Sequence, residues 1–283
     1  MIMKAGSRNL SLTVGGAIIA VIVLFVLFGP MVSGYEFDQM DMRNRLQLPS
    51  ALHWLGTDNF GRDLWTRMAV GARVSMVIAL SSVAIAVVVG VTVGLVSGFF
   101  GGWVDLVVMR VVDIFLGIPP IVLALAIVAA LGPGVVNLTL SLAAVFWTEY
   151  ARVVRSVTLS QREADYVAAA VALGSSKIRI LFVEILPNVV GPVIVLATLG
   201  IGTAIIAESG LSFLGFGVEP PTPTWGWTLA YGTRYLRSDP WLSTVAGLAI
   251  MITVLGFNLF GDGLRDYLDP RGVARRHRRM SSS

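Results

Sequence analysis

The stretch IFLGIPPIVLALAIVAALGPGVVNLTLSLAAVFWT, residues 114–148, carries no charged side chain over 35 residues and decides the fold. About 20 apolar residues cross a bilayer as one helix, so this stretch is too long for a single span. Gly132-Pro133-Gly134 is a strong turn signal within it. The stretch therefore predicts two spans joined by a tight turn, with the first span beginning near Leu106 and carrying Asp113 inside it or at its edge.

Charge-free stretches elsewhere in the chain predict four further spans. They cover residues 9–35, 74–104, 185–207 and 240–261. Only 13% of the residues are charged, against about 25% in soluble domains, which argues against a water-soluble globule. The chain has no cysteine, and this excludes a disulfide framework and a thiolate metal site. We therefore expect an all-α integral membrane protein with six transmembrane helices.

The distribution of basic residues predicts how these helices are oriented. With six spans both termini share one side of the membrane, and that side holds 14 of the 21 Lys and Arg residues. The positive-inside rule places both termini and the 149–187 loop in the cytoplasm, as expected for a multi-pass protein of the cytoplasmic (inner) membrane. The basic tail is interpreted as topological or lipid-facing and not as a nucleic-acid site. The predicted segments are a cytoplasmic N-terminus with the first transmembrane helix (1–35), an external loop with an interfacial helix (36–73), a transmembrane core containing the 149–187 loop (74–261) and the basic cytoplasmic tail (262–283).

The 149–187 loop contains the helix-prone segment DYVAAAVALGSSKIRILFVEILPN, residues 165–188. Gly174 divides this segment, because glycine suits a left-handed turn after a helix, and Ser175 is predicted to cap a second helix. Pro187 marks the junction with the next span. An apolar stripe at helical spacing is expected to need a partner; it consists of Ile178, Leu181, Phe182 and Ile185. The pattern alone allows an amphipathic loop packed on the bilayer or on its own chain, or a docking element for another protein.

The spacing of Ala169-Ala170, Gly174 and Leu186-Pro187 resembles the EAA loop of permease subunits in ATP-binding-cassette importers. In that family the loop docks into a groove on a separate ATPase subunit and transmits its motion. The general motif begins with Glu, whereas Ala168 stands at that place here, a departure that the peptide-transporting branch tolerates. The coupling residues implied by the resemblance are Ala168, Ala169, Ala170, Gly174, Ser175, Leu186 and Pro187.

Four further segments resemble the dipeptide, oligopeptide and nickel branch of these permeases. They are HWLGTDNFGRDLWTRMAVGARVS (53–75), SGFFGGWVD (97–105), AESGLSFLGFGVEPPTPTWG (207–226) and GDGLRDYLDPR (261–271). The resemblance extends over residues 55–271 and implies a type I importer permease with a five-helix core and an extra N-terminal span. Asp105, Arg110 and Asp113 could form a charge cluster near the cytoplasmic gate, and structural pairing of these charges is the preferred interpretation.

Glu208 is an acidic residue at or near membrane depth, which makes it a candidate functional residue. The glycines and the Pro220-Pro221 pair that follow are expected to break the helix at the outer membrane edge. A structural alternative is a re-entrant loop in which Glu208 caps a helix or pairs with an arginine. The residues predicted for the translocation path or a gate are Glu208, Ser209, Ser212 and Phe213.

The resemblance implies a permease subunit that imports di- or oligopeptides by alternating access. Its expected partners are a second homologous permease subunit, two ATP-binding-cassette ATPase subunits or domains, an external solute-binding protein and membrane lipid. The chain has only two lysines, Lys4 and Lys177, and neither lies in the G-K-[ST] of a Walker A loop. ATP and magnesium are therefore expected on the partner subunits, and this chain is expected to be no enzyme and to bind no cofactor of its own.

Other functions and one assembly feature complete the sequence-based expectations. The same kind of permease could carry nickel or another small solute. An ion-driven secondary transporter predicts inverted repeats and charged residues within the spans, and the sequence shows no clear repeat. An intramembrane serine protease needs a general base, and neither histidine lies in a predicted span.

Gly90 and Gly94 form a G-x-x-x-G pair, which predicts close packing against a related permease.

Overall fold

The computed structural model describes residues 3–268, with side chains described from residue 10 onward. This part of the chain is helical, with connecting loops and an isolated β-bridge between Thr57 and Asp63. The helices are α1 Met3–Val32, α2 Leu64–Phe100, α3 Gly102–Leu116, α4 Pro120–Leu131, α5 Val135–Arg162, α6 Asp165–Ala172, α7 Lys177–Arg179, α8 Leu186–Phe213, α9 Trp225–Thr233 and α10 Trp241–Leu268. A π-helical stretch, Ile180–Ile185, connects α7 to α8. The predicted basic tail lies outside the described residues from position 269 onward.

The described helices agree with a membrane protein, but they do not confirm six spans. Among residues 3–268, four helical segments are long and apolar enough to cross a bilayer, and the pair α3 and α4 would provide a fifth. The four segments are Leu10–Val32, Leu64–Phe100, Lys177–Phe213 and Trp241–Leu268. The hydropathy of α5 is limited by its second half, which carries Glu149 and three arginines.

The first half of the 114–148 stretch is not one straight helix. Between α3 and α4 the chain bends by 89°, so the expectation of a continuous span from Leu106 is wrong. The break lies at Gly117, Ile118 and Pro119. Ile118 and Pro119 each precede a proline, and a residue in that position avoids the α conformation. Pro120 is tolerated because it is the first residue of the next helix. The expected turn after α4 is confirmed, since Gly132 and Gly134 adopt φ values of +88° and +130°.

Helix α2 begins ten residues before the predicted span and is continuous to Phe100. Asp63 caps it, with a carboxylate oxygen that accepts a hydrogen bond from the Thr66 amide at 2.9 Å. Leu64 and Met68 are buried against the rest of the bundle. The predicted interfacial helix of the 36–73 segment is therefore the beginning of α2 and no separate element.

A seam of glycines joins α2 to α5. A Cβ atom on Gly90 would lie 2.6 Å from the Trp147 carbonyl oxygen, and one on Gly98 would lie 2.8 Å from the Thr158 Cβ. Gly94, between them, packs on the same helix. The absence of side chains thus allows the two backbones to approach closely. The G-x-x-x-G pair is used within this chain, and its assignment to an interface with a second permease is wrong.

Two ion pairs connect α3 to α5. The Asp105 carboxylate accepts from Arg155 Nε at 2.5 Å, and the Asp113 carboxylate accepts from Arg152 Nη2 at 2.7 Å. The predicted structural pairing of the two aspartates is confirmed, but their partners come from α5 and not from Arg110. The pairs orient α3 beside the end of α5 that leads into α6.

Candidate functional site

The two short helices α6 and α7 meet at Gly174. Its φ of +79° confirms the predicted left-handed turn. The Ser175 amide donates to the Ala170 carbonyl at 3.0 Å, and the Gly174 amide donates to the Val171 carbonyl at 2.9 Å. These two bonds form a Schellman motif, in which the last carbonyl groups of a helix receive donors from the residues that follow it. The angle between the two helices is therefore set by local hydrogen bonds.

The residue that caps α7 is Ser176, so the prediction of Ser175 as the cap is wrong by one position. The Ser176 hydroxyl oxygen accepts from the Arg179 amide at 3.3 Å. Ser175 is already engaged in the preceding turn, where its amide completes the end of α6. The turn at Gly174 therefore includes Ser175, which the sequence interpretation had assigned to the start of the second helix.

The predicted apolar stripe is divided between two faces. Leu181 and Ile185 are buried, whereas 73% of Ile178 and 56% of Phe182 are exposed. The cause is the π-helical stretch, whose i to i+5 hydrogen bonds insert an extra residue per turn and disturb the period of 3.6. Half of the stripe therefore already packs on this chain, in a cluster that includes Leu95 and Val154.

An exposed apolar surface remains at the tip of this element. Its members are all more than half exposed, and we call them the α6–α7 surface: Val171, Leu173, Ile178, Phe182 and Val183. The predicted coupling residues lie around it, with Ala168, Ala169, Gly174 and Pro187 exposed and Ala170, Ser175 and Leu186 partly buried. Groups of exposed apolar side chains can mark interaction sites, whether with protein or with membrane.

Tyr166 and Asn188 hold the element to the start of α8. The Tyr166 hydroxyl donates to Gln161 Oε1 at 2.6 Å and accepts from Asn188 Nδ2 at 3.2 Å. Asn188 Nδ2 also donates to the Glu184 carbonyl at 2.8 Å. Burial, and to a smaller extent the Glu184 carboxylate, raise the pKa of Tyr166 above its ordinary value, so its hydroxyl stays a proton donor. The sequence interpretation missed both residues, which lie just outside the two ends of the Ala168–Pro187 motif.

The second candidate site surrounds Glu208 in α8. This side chain is fully buried, and its carboxyl group accepts from Ser212 Oγ at 2.7 Å and from Ser209 Oγ at 3.3 Å. Ser75 of α2 approaches the same group, although its hydroxyl makes no hydrogen bond of ordinary geometry with a described residue. Both alternatives of the structural interpretation, a helix cap and an arginine pair, are therefore wrong, because serine hydroxyls satisfy this carboxyl group.

The chain that follows Glu208 turns back, and α9 packs against the part of α8 that carries this residue. Helix α8 continues past Gly210 to Phe213, and the irregular segment begins with Gly215 at a φ of +93°. A Cβ atom on Gly226 of α9 would lie 2.7 Å from the Ser212 Cβ, so the two elements are in close contact. Of the predicted path or gate residues, Glu208, Ser209 and Ser212 are buried among the chain's own helices, and Phe213 is 40% exposed.

Several long apolar helices define a multi-pass membrane protein. Residues 90–272 match the family described as binding-protein-dependent transport system inner membrane component, and residues 7–49 match the N-terminal TM domain of oligopeptide transport permease C. The chain belongs to this family of inner membrane permease components.

Curated relatives resemble almost the whole chain. It is 44% identical to the dipeptide transport system permease protein DppC of Alkalihalophilus pseudofirmus, over 95% of this chain and 88% of that protein. It is 42% identical to the probable D,D-dipeptide transport system permease protein DdpC of Escherichia coli, over 92% and 88%. It is 38% identical to the oligopeptide transport system permease protein OppC of Bacillus subtilis, over 91% and 85%.

Proposed function

We propose that this chain is the permease subunit of an ATP-driven importer that carries di- or oligopeptides across the inner membrane. The names of the relatives support a peptide as the solute, since they include dipeptide, D,D-dipeptide and oligopeptide systems. The complete importer would contain a second homologous permease subunit, two ATPase subunits or domains and an external solute-binding protein. ATP and magnesium would bind the ATPases, and both termini of this chain would face the cytoplasm.

The α6–α7 surface is the observation that carries the coupling part of the proposal. Leu173 at its tip is 86% exposed, and apolar atoms in water gain free energy when a partner covers them. The element behind the surface is firmly held, because Val167 is 3% exposed and Tyr166 bonds to neighbouring segments. A docked ATPase would therefore move the whole element and not merely displace a loose loop.

Helix geometry supplies a path for that motion. The segment Lys177–Phe213 is helical over 37 residues, which is about 55 Å at 1.5 Å per residue. Its first residues contribute Ile178, Phe182 and Val183 to the α6–α7 surface, and it ends beyond Glu208. A displacement at one end would therefore shift the buried serine and carboxyl cluster at the other. Alternating access would then follow from closure and separation of the ATPases, with α8 as the connecting element.

The proposal is tested by dipeptide uptake into cells that carry the complete importer. Leu173→Asp should abolish uptake and reduce co-purification of the ATPase, because a carboxylate would be placed on a surface that needs apolar contact. Leu236→Asp is the matched control, since Leu236 is also exposed, at 52%, but lies between α9 and α10. Wild-type uptake by Leu173→Asp at normal membrane levels would contradict the coupling role.

A further inference from the structure

A cavity of about 220 Å³ lies at the end of α2 opposite to the α6–α7 surface. Its walls come from the loop before α2, the first turns of α2, the loop after α8 and α9. The residues that carry the argument are Phe60, Arg62, Arg67, Thr222, Trp227 and Tyr231. The proposed orientation places this cavity at the external end of the chain, outside both the coupling element and the Glu208 cluster.

The cavity wall holds more positive than negative charge. Asp58 pairs with Arg62 Nε at 2.7 Å and with Arg67 Nε at 3.2 Å, and all three side chains are at most 5% exposed. Two guanidinium groups thus share one carboxylate. Asp63, the other buried acid nearby, is already bonded to His53 and Thr66.

Among the described residues, Asp58 is the one buried carboxylate that pairs with these two guanidinium groups. Asp38 also acts on Arg67, but it lies exposed, where water screens its charge. An incompletely compensated buried charge is unfavourable unless an opposite charge joins it. An anion entering the cavity would meet two guanidinium groups in its wall, which share a single carboxylate.

The donors of the two arginines are used unequally. Arg67 Nη1 donates to the Phe37 carbonyl at 2.9 Å, so this side chain ties α2 to the preceding loop. Arg62 lies over the Phe60 ring at 4.6 Å, and within residues 3–268 its terminal Nη groups have no hydrogen-bond acceptor. Nearly buried N–H groups are stabilised when an acceptor reaches them, and a guanidinium group matches the two oxygen atoms of a carboxylate.

Three aromatic rings form another part of the wall. Trp227 and Tyr231 are stacked with their centroids 5.4 Å apart, and Phe60 meets Tyr231 edge-on at 6.5 Å. Such rings favour apolar atoms, so the cavity suits a molecule with a carboxylate at one end and an apolar part beside it. The volume leaves room for that part as well as for the charged group.

We propose that this cavity binds the C-terminal carboxylate of a short peptide, with Arg62 as its principal donor. The inference deepens the proposed function and rests on it. Arg62 would pair with the carboxylate, and the rings of Phe60, Trp227 and Tyr231 would contact the last side chain of the peptide. A peptide whose C-terminus is amidated would lose the ion pair.

The test measures binding by the purified full-length chain, by equilibrium dialysis, of dialanine and of its C-terminal amide. Dialanine should bind, and the amide and the Arg62→Gln variant should each weaken binding at least about tenfold. Arg45→Gln is the matched control: it removes the same charge from an exposed residue of the same loop and should bind dialanine like the wild type. Equal binding of acid and amide by the wild type would overturn the proposal.

A second variant tests the cavity without removing the buried Arg62 side chain, whose loss could cause misfolding. Thr222→Glu places a carboxylate inside the cavity while the pairs of Asp58 remain intact, and it should reduce dialanine binding as strongly. Unchanged binding in both variants would overturn the proposal. Failure of the purified wild type to bind dialanine would overturn the proposal that a peptide is the ligand. If Arg62→Gln nevertheless loses uptake, the ligand of this cavity is a carboxylate on a docked protein. Because dialysis involves no ATPase, its result is independent of the Leu173→Asp experiment on the proposed function.

Discussion

Gly94 of α2 packs against Val154 of α5 so closely that a Cβ atom on the glycine would lie 2.7 Å from the valine Cβ. The same atom would be 2.6 Å from the Ala151 carbonyl oxygen, which belongs to the backbone and cannot move aside alone. The two helices must therefore separate locally if any other residue replaces this glycine.

Replacement of Gly94 by alanine should lower the free energy of unfolding by roughly 1–3 kcal/mol, the usual effect of overpacking. Gly247 of α10 is the matched control, because nothing lies within 4 Å of its Cβ position. Gly247→Ala should be neutral or should stabilise by up to about 1 kcal/mol, since alanine is the better helix former. Thermal unfolding of the purified variants in detergent measures both, and equal shifts would contradict the tight α2–α5 contact.

The turn at Gly174 is predicted to fail through backbone strain and not through a clash. No atom lies within 4 Å of its Cβ position, but its φ of +79° disfavours a β-branched residue. Gly174→Val should introduce about 1–3 kcal/mol of local strain, leave membrane levels normal and abolish uptake and ATPase association. Gly174→Asn is the control, because asparagine tolerates the left-handed region and should retain most uptake. Wild-type uptake by the valine variant would remove the turn from the coupling mechanism.

The hydrogen bond between Tyr166 and Asn188 should stabilise α6 locally. Tyr166→Phe should lower the local stability of α6 by at most about 0.5–1.5 kcal/mol, the usual net value of an intramolecular hydrogen bond, because the bonds of this hydroxyl are exposed to solvent. Hydrogen exchange of the α6 amides measures this opening. The combined change with Asn188→Ala should be smaller than the sum of the single changes, because the two residues share one bond. Tyr267→Phe, at an exposed position of α10, should leave α6 exchange unchanged.

Glu208 should tolerate loss of its acidity better than loss of its oxygen atoms. Glu208→Gln keeps an acceptor for the Ser212 hydroxyl and should unfold at nearly the wild-type temperature. Glu208→Ala leaves buried hydroxyl groups without their acceptor and should destabilise by about 1–3 kcal/mol. Comparable unfolding temperatures for the two variants would show that the hydroxyl bonds do not stabilise the end of α8.

The orientation is open to a direct test. A reporter enzyme that is active only outside the cytoplasmic membrane, fused after Arg271, should be silent, because the basic excess places the tail inside. The same reporter inserted after Arg237, between α9 and α10, should be active. The reverse pattern would place the α6–α7 surface on the wrong side for an ATPase.

Features that depend on neighbouring residues could be predicted from the sequence. The turns at Gly132–Gly134 and Gly174 both need φ values that glycine supplies, and both were found where the pattern placed them. The bend before Pro120 also had a local signal in the sequence, the Pro119-Pro120 pair. It was overlooked because the apolar character of the stretch continues through it.

Features that depend on distant residues could not be predicted. Asp105 pairs with Arg155, which is 50 positions away, and no spacing rule connects them. The glycines of α2 fit a contact between subunits as well as a contact with α5, since the motif specifies close packing but not the partner. Glu208 was identified as unusual, but the packing of its neighbours Ser209 and Ser212 against Gly226 of α9 depends on the folded chain.

The glycine seam has a mechanical consequence for any change of shape. Gly90, Gly94 and Gly98 bring α2 against α5 over about 12 Å. At these positions α2 has no side chains between its backbone and α5, so the two helices cannot slide past each other on a layer of flexible side chains. These two helices must therefore travel as a single rigid body. Rearrangement is left to segments that are joined by breaks, and the 89° corner at Gly117–Pro119 is one place where the bundle can pivot while α2 and α5 stay locked.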